Sequence, residues 1–158
     1  VAGTMISGYW LCMLVGRHVG ASIGAKVSSK TMLTVTSFVA ICFLIAAIFI
    51  PETVNVSVFK NVIPLSFFFI VICGLCTSIM WGAIFNLATE GLGKYTATAS
   101  GIFMTLVCGG GIIPFVQNAI ADSVGSINSY WFLVACLGFL LFYALIGCKN
   151  VNKDIPVE

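Results

Sequence analysis

Residues 32–50 read MLTVTSFVAICFLIAAIFI, a run without a charge, a proline or a glycine. As a helix it would rise roughly 28 Å at 1.5 Å per residue, close to the roughly 30 Å of a bilayer's hydrocarbon core. Lipid offers no hydrogen-bond partner to a backbone N–H or C=O, so a lone spanning segment must be helical, and the run lacks the apolar–polar alternation of a barrel strand. Outward from it, four more segments are long and apolar enough to repeat the pattern: Met5–Ala25, Val62–Leu87, Ala97–Ala121 and Tyr130–Cys148. The expectation is an all-α membrane protein with five transmembrane helices.

Composition agrees. The 158 residues are 60% hydrophobic and 8% charged, against about 25% charged in an average soluble domain, too few to cover a water-exposed surface. The net charge of +2 is spread between the apolar runs, which excludes a nucleic-acid surface. The N-terminus has no basic region followed by a short apolar stretch and a cleavage site, as a signal peptide would. Val1 opens inside an apolar stretch, as a piece of a longer chain would.

The links are short: KVSSK, PETVNVSVFKN, TEGLGKYT and DSVGSINS. Short links make successive helices antiparallel neighbours. Pro51 is expected to stop the second helix, Gly91 and Gly93 to supply a left-handed turn after the third, and Thr96 or Thr98 to cap the fourth. Placed on alternating sides, Arg17, Lys26, Lys30, Lys94, Lys149 and Lys153 fall together and only Lys60 falls opposite. The basic side, including the tail 149–158, is expected to be cytoplasmic. Tyr130 and Trp131 then fit an outer aromatic belt, and Asn55-Val56-Ser57 is a weak outer-side glycosylation sequon.

Polar residues inside the apolar runs are the candidates for function. Arg17 lies roughly 13 Å inside the end of the first segment, counted from Lys26. It either snorkels to the headgroups or faces protein and pairs with a carboxylate or helix end that controls a gate. His18 reads as a satisfied interfacial residue. Gly16, Gly20 and Gly24 recur every four residues on one face, the spacing that lets another helix approach closely. In the third segment Gly74, Thr77, Ser78 and Trp81 share a face, with Asn86 farther along. An aromatic ring beside hydroxyl and amide groups suits a sugar, whose apolar face stacks while its hydroxyls find partners. In the fourth, VCGGGIIPFVQN weakens the helix at Gly109, Gly110, Gly111 and Pro114, and Gln117 and Asn118 follow within a turn, a pattern found at transporter hinges and binding sites. Glu90 and Asp122 sit at segment ends, and no carboxylate lies deep in a segment. No metal or cofactor site is expected.

Seven cysteines are scattered through the apolar runs. Cys73 and Cys76 form a C-x-x-C, but no cation lies nearby to lower a thiol pKa. A thiol-redox protein using that pair is therefore a minor alternative, and a five-helix membrane scaffold or channel subunit is the other.

The stretches GRHVGASIGAKVSSKTML, SIMWGAIFNLATEGLGKYTATASGIFMTLVCGGGIIPF and ADSVG together resemble the C-terminal half of sugar-proton symporters of the major facilitator superfamily, most nearly the fucose permease and glucose/galactose transporter family. The resemblance covers nearly the whole chain. It implies a twelve-helix fold in two halves with cytoplasmic termini, of which this chain holds helices eight to twelve as a partial six-helix bundle over residues 1–148. It also implies a transporter and not an enzyme, carrying a hexose or deoxyhexose (glucose, galactose or fucose) with protons by alternating access in the bacterial inner membrane. The segments holding Arg17, Trp81 and Gln117 would then line the central cavity, and the second and fifth would face lipid. The proton-coupling carboxylates would lie in the missing N-terminal half, the other partner besides sugar, protons and lipid. One departure stands out: Gly24 takes the place of an acidic residue common in the loop after helix eight. That puts the usual acid-base latch in doubt and points to a partner for Arg17 outside this chain.

Overall fold

The structure, a computed structural model, describes residues 2–50, 54–58 and 61–148. The expected stop at Pro51, the outward Lys60 and the tail 149–158 with Lys149 and Lys153 lie outside the described residues.

Six α-helices form: α1 (Ala2–Gly24), α2 (Ser29–Phe49), α3 (Leu65–Thr89), α4 (Thr96–Leu106), α5 (Gly109–Val124) and α6 (Ser126–Phe142), the last continued by a wide π turn over Tyr143–Gly147. α2, α3, the run Gly93–Val124 and the run Ser126–Gly147 are each long and apolar enough to cross a membrane. α1 has the length, at 23 residues, but Arg17, His18 and five glycines dilute its apolar character.

The links differ from expectation where backbone chemistry overrides hydropathy. Ser28 in KVSSK caps α2, its Oγ accepting from Thr31 N at 3.4 Å, the arrangement short hydroxyl side chains favour. The link between α2 and α3 is not wholly loop: β1 (Asn55–Val58) pairs antiparallel with β2 (Asn61–Pro64). The third helix therefore starts at Leu65 and not at Val62. The β-branched Val56, Val58, Val62 and Ile63 suit an extended backbone, and Leu65 N donates to Val54 O at 2.8 Å, tying the helix start to the hairpin's base. Gly91 and Gly93 take φ of +76° and +48°, the left-handed turn expected of them. Thr96 does not act as a cap. It is the first residue of α4, and its Oγ1 donates to Gly93 O at 2.7 Å.

The fourth expected span is two helices in series. At Val107 and Cys108 the ladder tightens to bonds three residues back, Val107 N to Met104 O and Cys108 N to Thr105 O, both 3.3 Å. The break thus falls just before Gly109–Gly111. Pro114 lies within α5 and, without an N–H, leaves the carbonyl four residues back without its ladder donor. The link DSVGSINS contracts to one residue, Gly125, at φ +91°. Only glycine adopts that conformation without strain, so α6 starts at Ser126, four residues earlier than expected.

Packing centres on α2, between α3 and α6. Its buried residues Leu33, Ser37, Ala40, Leu44 and Ala47 alternate steps of four and three, the seam of two helices crossing at a shallow angle. Cys73, Cys76, Met80 and Ala83 of α3, and Leu137 and Ala144 on the α6 side, complete the core. Ser37 meets its hydrogen-bonding need within it, donating to Met80 Sδ at 3.4 Å. The outer faces of α2 and α6 expose Phe38, Phe49, Phe139 and Phe142. Trp131 packs edge-on to Phe49 with ring centroids 6.3 Å apart, so the end of α2 and the start of α6 share one end of the bundle. At the other end Lys30 Nζ donates to Leu145 O at 3.4 Å.

Cys73 and Cys76 are free and buried. With both thiols in the α2–α3 core, neither reaches a substrate or a partner thiol without unfolding. N-ethylmaleimide should label them only after denaturation in detergent. Mass-spectrometric mapping of labelled peptides checks this, and rapid native labelling at Cys73 would revive the redox alternative.

Candidate functional site

The site begins with how closely α1 and α3 approach. A Cβ on Gly16 would stand 2.7 Å from Leu75 O, and one on Gly20 3.1 Å from Ile79 Cγ1. From the opposite side a Cβ on Gly74 would lie 2.8 Å from the Tyr9 ring. Glycine at these positions lets the two backbones meet. Gly24 differs, because its Cβ would make ordinary contact with Met32 Sδ at 3.6 Å.

Two of the hydroxyls expected in a cavity are used in this contact. Ser78 Oγ donates to Met13 O across the interface at 2.7 Å. Thr77 Oγ1 donates to Gly74 O at 3.0 Å, leaving it to accept from the Tyr9 hydroxyl at 3.3 Å. A hydroxyl that crosses to the neighbouring helix fixes register as well as satisfying itself.

Beside this contact lies a cleft of about 340 Å³. Arg17, Gly20 and Gly24 of α1 line one wall, and Ser78, Trp81 and Asn86 of α3 line the other, with Met32 of α2 and Ile79 of α3 adding apolar surface. The volume is in the range that takes a small organic molecule. Arg17 and Asn86 are exposed side chains that supply a guanidinium fork and an amide, and the Trp81 indole is 40% exposed. No ion pair forms among the described residues, so Arg17 has no carboxylate partner there. His18 Nδ1 donates to Leu14 O at 3.0 Å. A second cleft of about 630 Å³ at the loop end shares Asn86 and Gly24 and adds Lys30 and Glu90.

Arg17, Gly20, Gly24, Ser78, Trp81 and Asn86 thus come together. Thr77 faces the helix contact, and Gly16 lies at its tightest point. Gln117 and Asn118 sit on α5, which packs on α6 and has no buried residue, and neither lines the cleft. Gly109, Gly110 and Gly111 stand at the start of α5 with no atom within 4 Å of an added Cβ. Phe103 of α4 was not singled out in the sequence. Its ring lies 5.6 Å from that of Trp81 and 5.4 Å from that of Phe85. An aromatic amid an apolar segment carries no local mark of such a contact.

No family model matches the chain, and no solved structure matches it. Among curated proteins it is 32% identical over 142 residues to a "Glucose/galactose transporter" of Brucella abortus, an alignment that covers 90% of this chain and 32% of that protein. It is 30% identical over 151 residues to a "Putative glucose/galactose transporter" of Helicobacter pylori, covering 92% of this chain and 34% of the relative. The chain is similar to these proteins along nearly its whole length, and it spans about a third of theirs.

Proposed function

We propose that this chain is the C-terminal part of a sugar transporter of the kind those relatives name, carrying a hexose or deoxyhexose such as glucose, galactose or fucose. The observation that carries this reading is the cleft itself: a half-exposed indole that shares it with a guanidinium and an amide, in a chain similar to glucose/galactose transporters. A pyranose has an apolar face that stacks on an indole and hydroxyls that accept from Arg17 and exchange hydrogen bonds with Asn86. Neither polar group is bound to a partner side chain among the described residues, so each is free to take a ligand.

Transport proceeds by alternating access, the missing half closing the cleft on its open side. The tight turn at Val107–Cys108, the unpacked Gly109–Gly111 and Pro114 give the α4–α5 run a place to bend, and Gln117 and Asn118 reach the cavity as it does. Proton coupling falls to carboxylates outside this chain, because Glu90 and Asp122 stand at helix ends. The end bearing Lys26, Lys30 and Lys94 faces the cytoplasm of a bacterial inner membrane, in line with the bias of basic residues to that side.

Uptake of radiolabelled hexoses by the full-length protein in proteoliposomes tests the reading. Saturable uptake of at least one hexose, raised several-fold by an inward proton gradient, is expected. Absence of any hexose uptake overturns the sugar assignment, and uptake indifferent to the gradient overturns the coupling.

A further inference from the structure

We propose that Phe103 is a positioning residue for sugar recognition, clamping the Trp81 indole and thereby tying the binding wall of α3 to α4. The proposal rests on the reading of Trp81 as the stacking surface.

The geometry is a bridge between helices. Trp81 and Phe85 are one turn apart on α3, and the Phe103 ring meets both, tilted at 60° to the indole and edge-on at 78° to Phe85. Such offset and edge arrangements add an orienting preference to the area they bury. Trp81 is otherwise loosely held: the indole is 40% exposed, and the adjacent Gly82 has no atom within 4 Å of an added Cβ. Its orientation toward Arg17 and Asn86 therefore depends on the partner at its flank.

That partner stands on α4, which meets α3 along a narrow stripe. α4 has no buried residue. Ala99, Ser100 and Phe103 are its half-buried positions over 98–106, one stripe against α3, while Ile102, Met104 and Leu106 are more than half exposed. Within this chain α4 thus meets α3 through one aromatic and two small residues, and Phe103 is the largest side chain in that contact. Any shift of α4 carries Phe103 off the indole. A gap wide enough to admit a pyranose between the rings needs about 7–8 Å, two van der Waals separations, so at 5.6 Å Phe103 backs Trp81 and leaves the cleft side to the sugar. Sugar affinity is thus highest while α4 rests on α3.

The test is equilibrium binding of the transported hexose to the full-length protein carrying Phe103→Ala, Phe103→Leu, Phe103→Tyr, Trp81→Ala and the Phe103→Ala/Trp81→Ala pair. Phe103→Ala and Phe103→Leu are expected to weaken binding about three- to tenfold, and Phe103→Tyr to keep the parent affinity. The double variant should bind no more weakly than Trp81→Ala alone, because Phe103 acts through the indole. Fluorescence anisotropy, read as the difference between each protein and its Trp81→Phe counterpart, should fall in Phe103→Leu. Losses that add in the double variant, or unchanged affinity in Phe103→Leu while Trp81→Ala is impaired, overturn the positioning role and leave the site reading standing. Unchanged affinity in Trp81→Ala overturns the site reading itself, and the role of Phe103 with it.

Discussion

Gly16→Leu drives α1 and α3 apart, and the protein loses about 3 kcal/mol of stability, the upper end of the usual cost of overpacking. The reason lies in what the new side chain meets. Its Cβ alone would sit 2.7 Å from Leu75 O and 3.1 Å from Leu75 Cα and Ser78 Cβ. Two of those atoms are backbone in the middle of a 25-residue helix, which cannot step aside as a flexible side chain would. Separation also breaks the Ser78 to Met13 bond and stretches the Tyr9 to Thr77 contact, leaving polar groups without partners in an apolar setting. Gly74→Ala is expected to behave alike, since its Cβ would lie 2.8 Å from the Tyr9 ring and 3.0 Å from Tyr9 O. Gly20→Ala meets a movable Ile79 side chain and should cost under about 1 kcal/mol. Gly101→Ala and Gly138→Ala meet nothing within 4 Å and, being mid-helix, should be neutral or stabilising by up to about 1 kcal/mol. Thermal denaturation followed by size-exclusion chromatography in detergent ranks the five. Equal losses for Gly16→Leu and Gly101→Ala would remove the close α1–α3 contact as a determinant of the fold.

This interface was legible in the sequence because its cause is local. Glycines four residues apart on a helix define a face whatever lies opposite, although of the three only Gly16 and Gly20 meet α3 and Gly24 meets Met32, and a run of nineteen residues without a charge, a proline or a glycine defines a span. Gly91 and Gly93 were readable for the same reason: they break an apolar period and follow a helix. What the sequence concealed depends on partners distant along the chain. Thr77 reads as a cavity hydroxyl because nothing in its own segment shows that Tyr9 lies opposite, 68 residues away, and for the same reason nothing shows that Ser78, which does line the cleft, spends its hydroxyl on Met13, 65 residues away. The one-residue corner at Gly125 was hidden because Ser126 and Asn128 look like loop residues, yet both lie in the first turn of α6, where Asn128 Nδ2 donates to Val124 O at 3.0 Å. The break at Val107–Cys108 fell just short of the glycines that mark it, since a weakened helix yields where neighbours permit. Phe103 was illegible outright, because its role is set by two rings on another helix.

Trp81→Ala should weaken sugar binding by at least about tenfold while leaving yield and thermal stability close to those of the parent. The two halves of this expectation have separate grounds. An indole 40% exposed, flanked by Gly82 with open space around it, contributes little to the core, which lies on the opposite face of α3 at Cys73, Cys76, Met80 and Ala83. Its deletion removes the contact with Phe103 and little else in the unliganded protein. In the complex the same deletion removes the one aromatic surface of the cleft, since its other large apolar side chains, Met32 and Ile79, offer no flat face for a pyranose to stack on. Arg17 and Asn86 can still hydrogen-bond a sugar hydroxyl, but water competes for each such bond, so the net selectivity of the site falls with the loss of the stacking surface. Trp81→Phe keeps an aromatic face of smaller area and should fall between the two. The pattern to be measured, by equilibrium binding and melting in parallel, is a large change in Kd with a small change in Tm. The converse pattern, a lowered Tm with unaltered Kd, would place Trp81 among the packing residues and leave the Arg17–Asn86 cleft without its sugar-recognising surface.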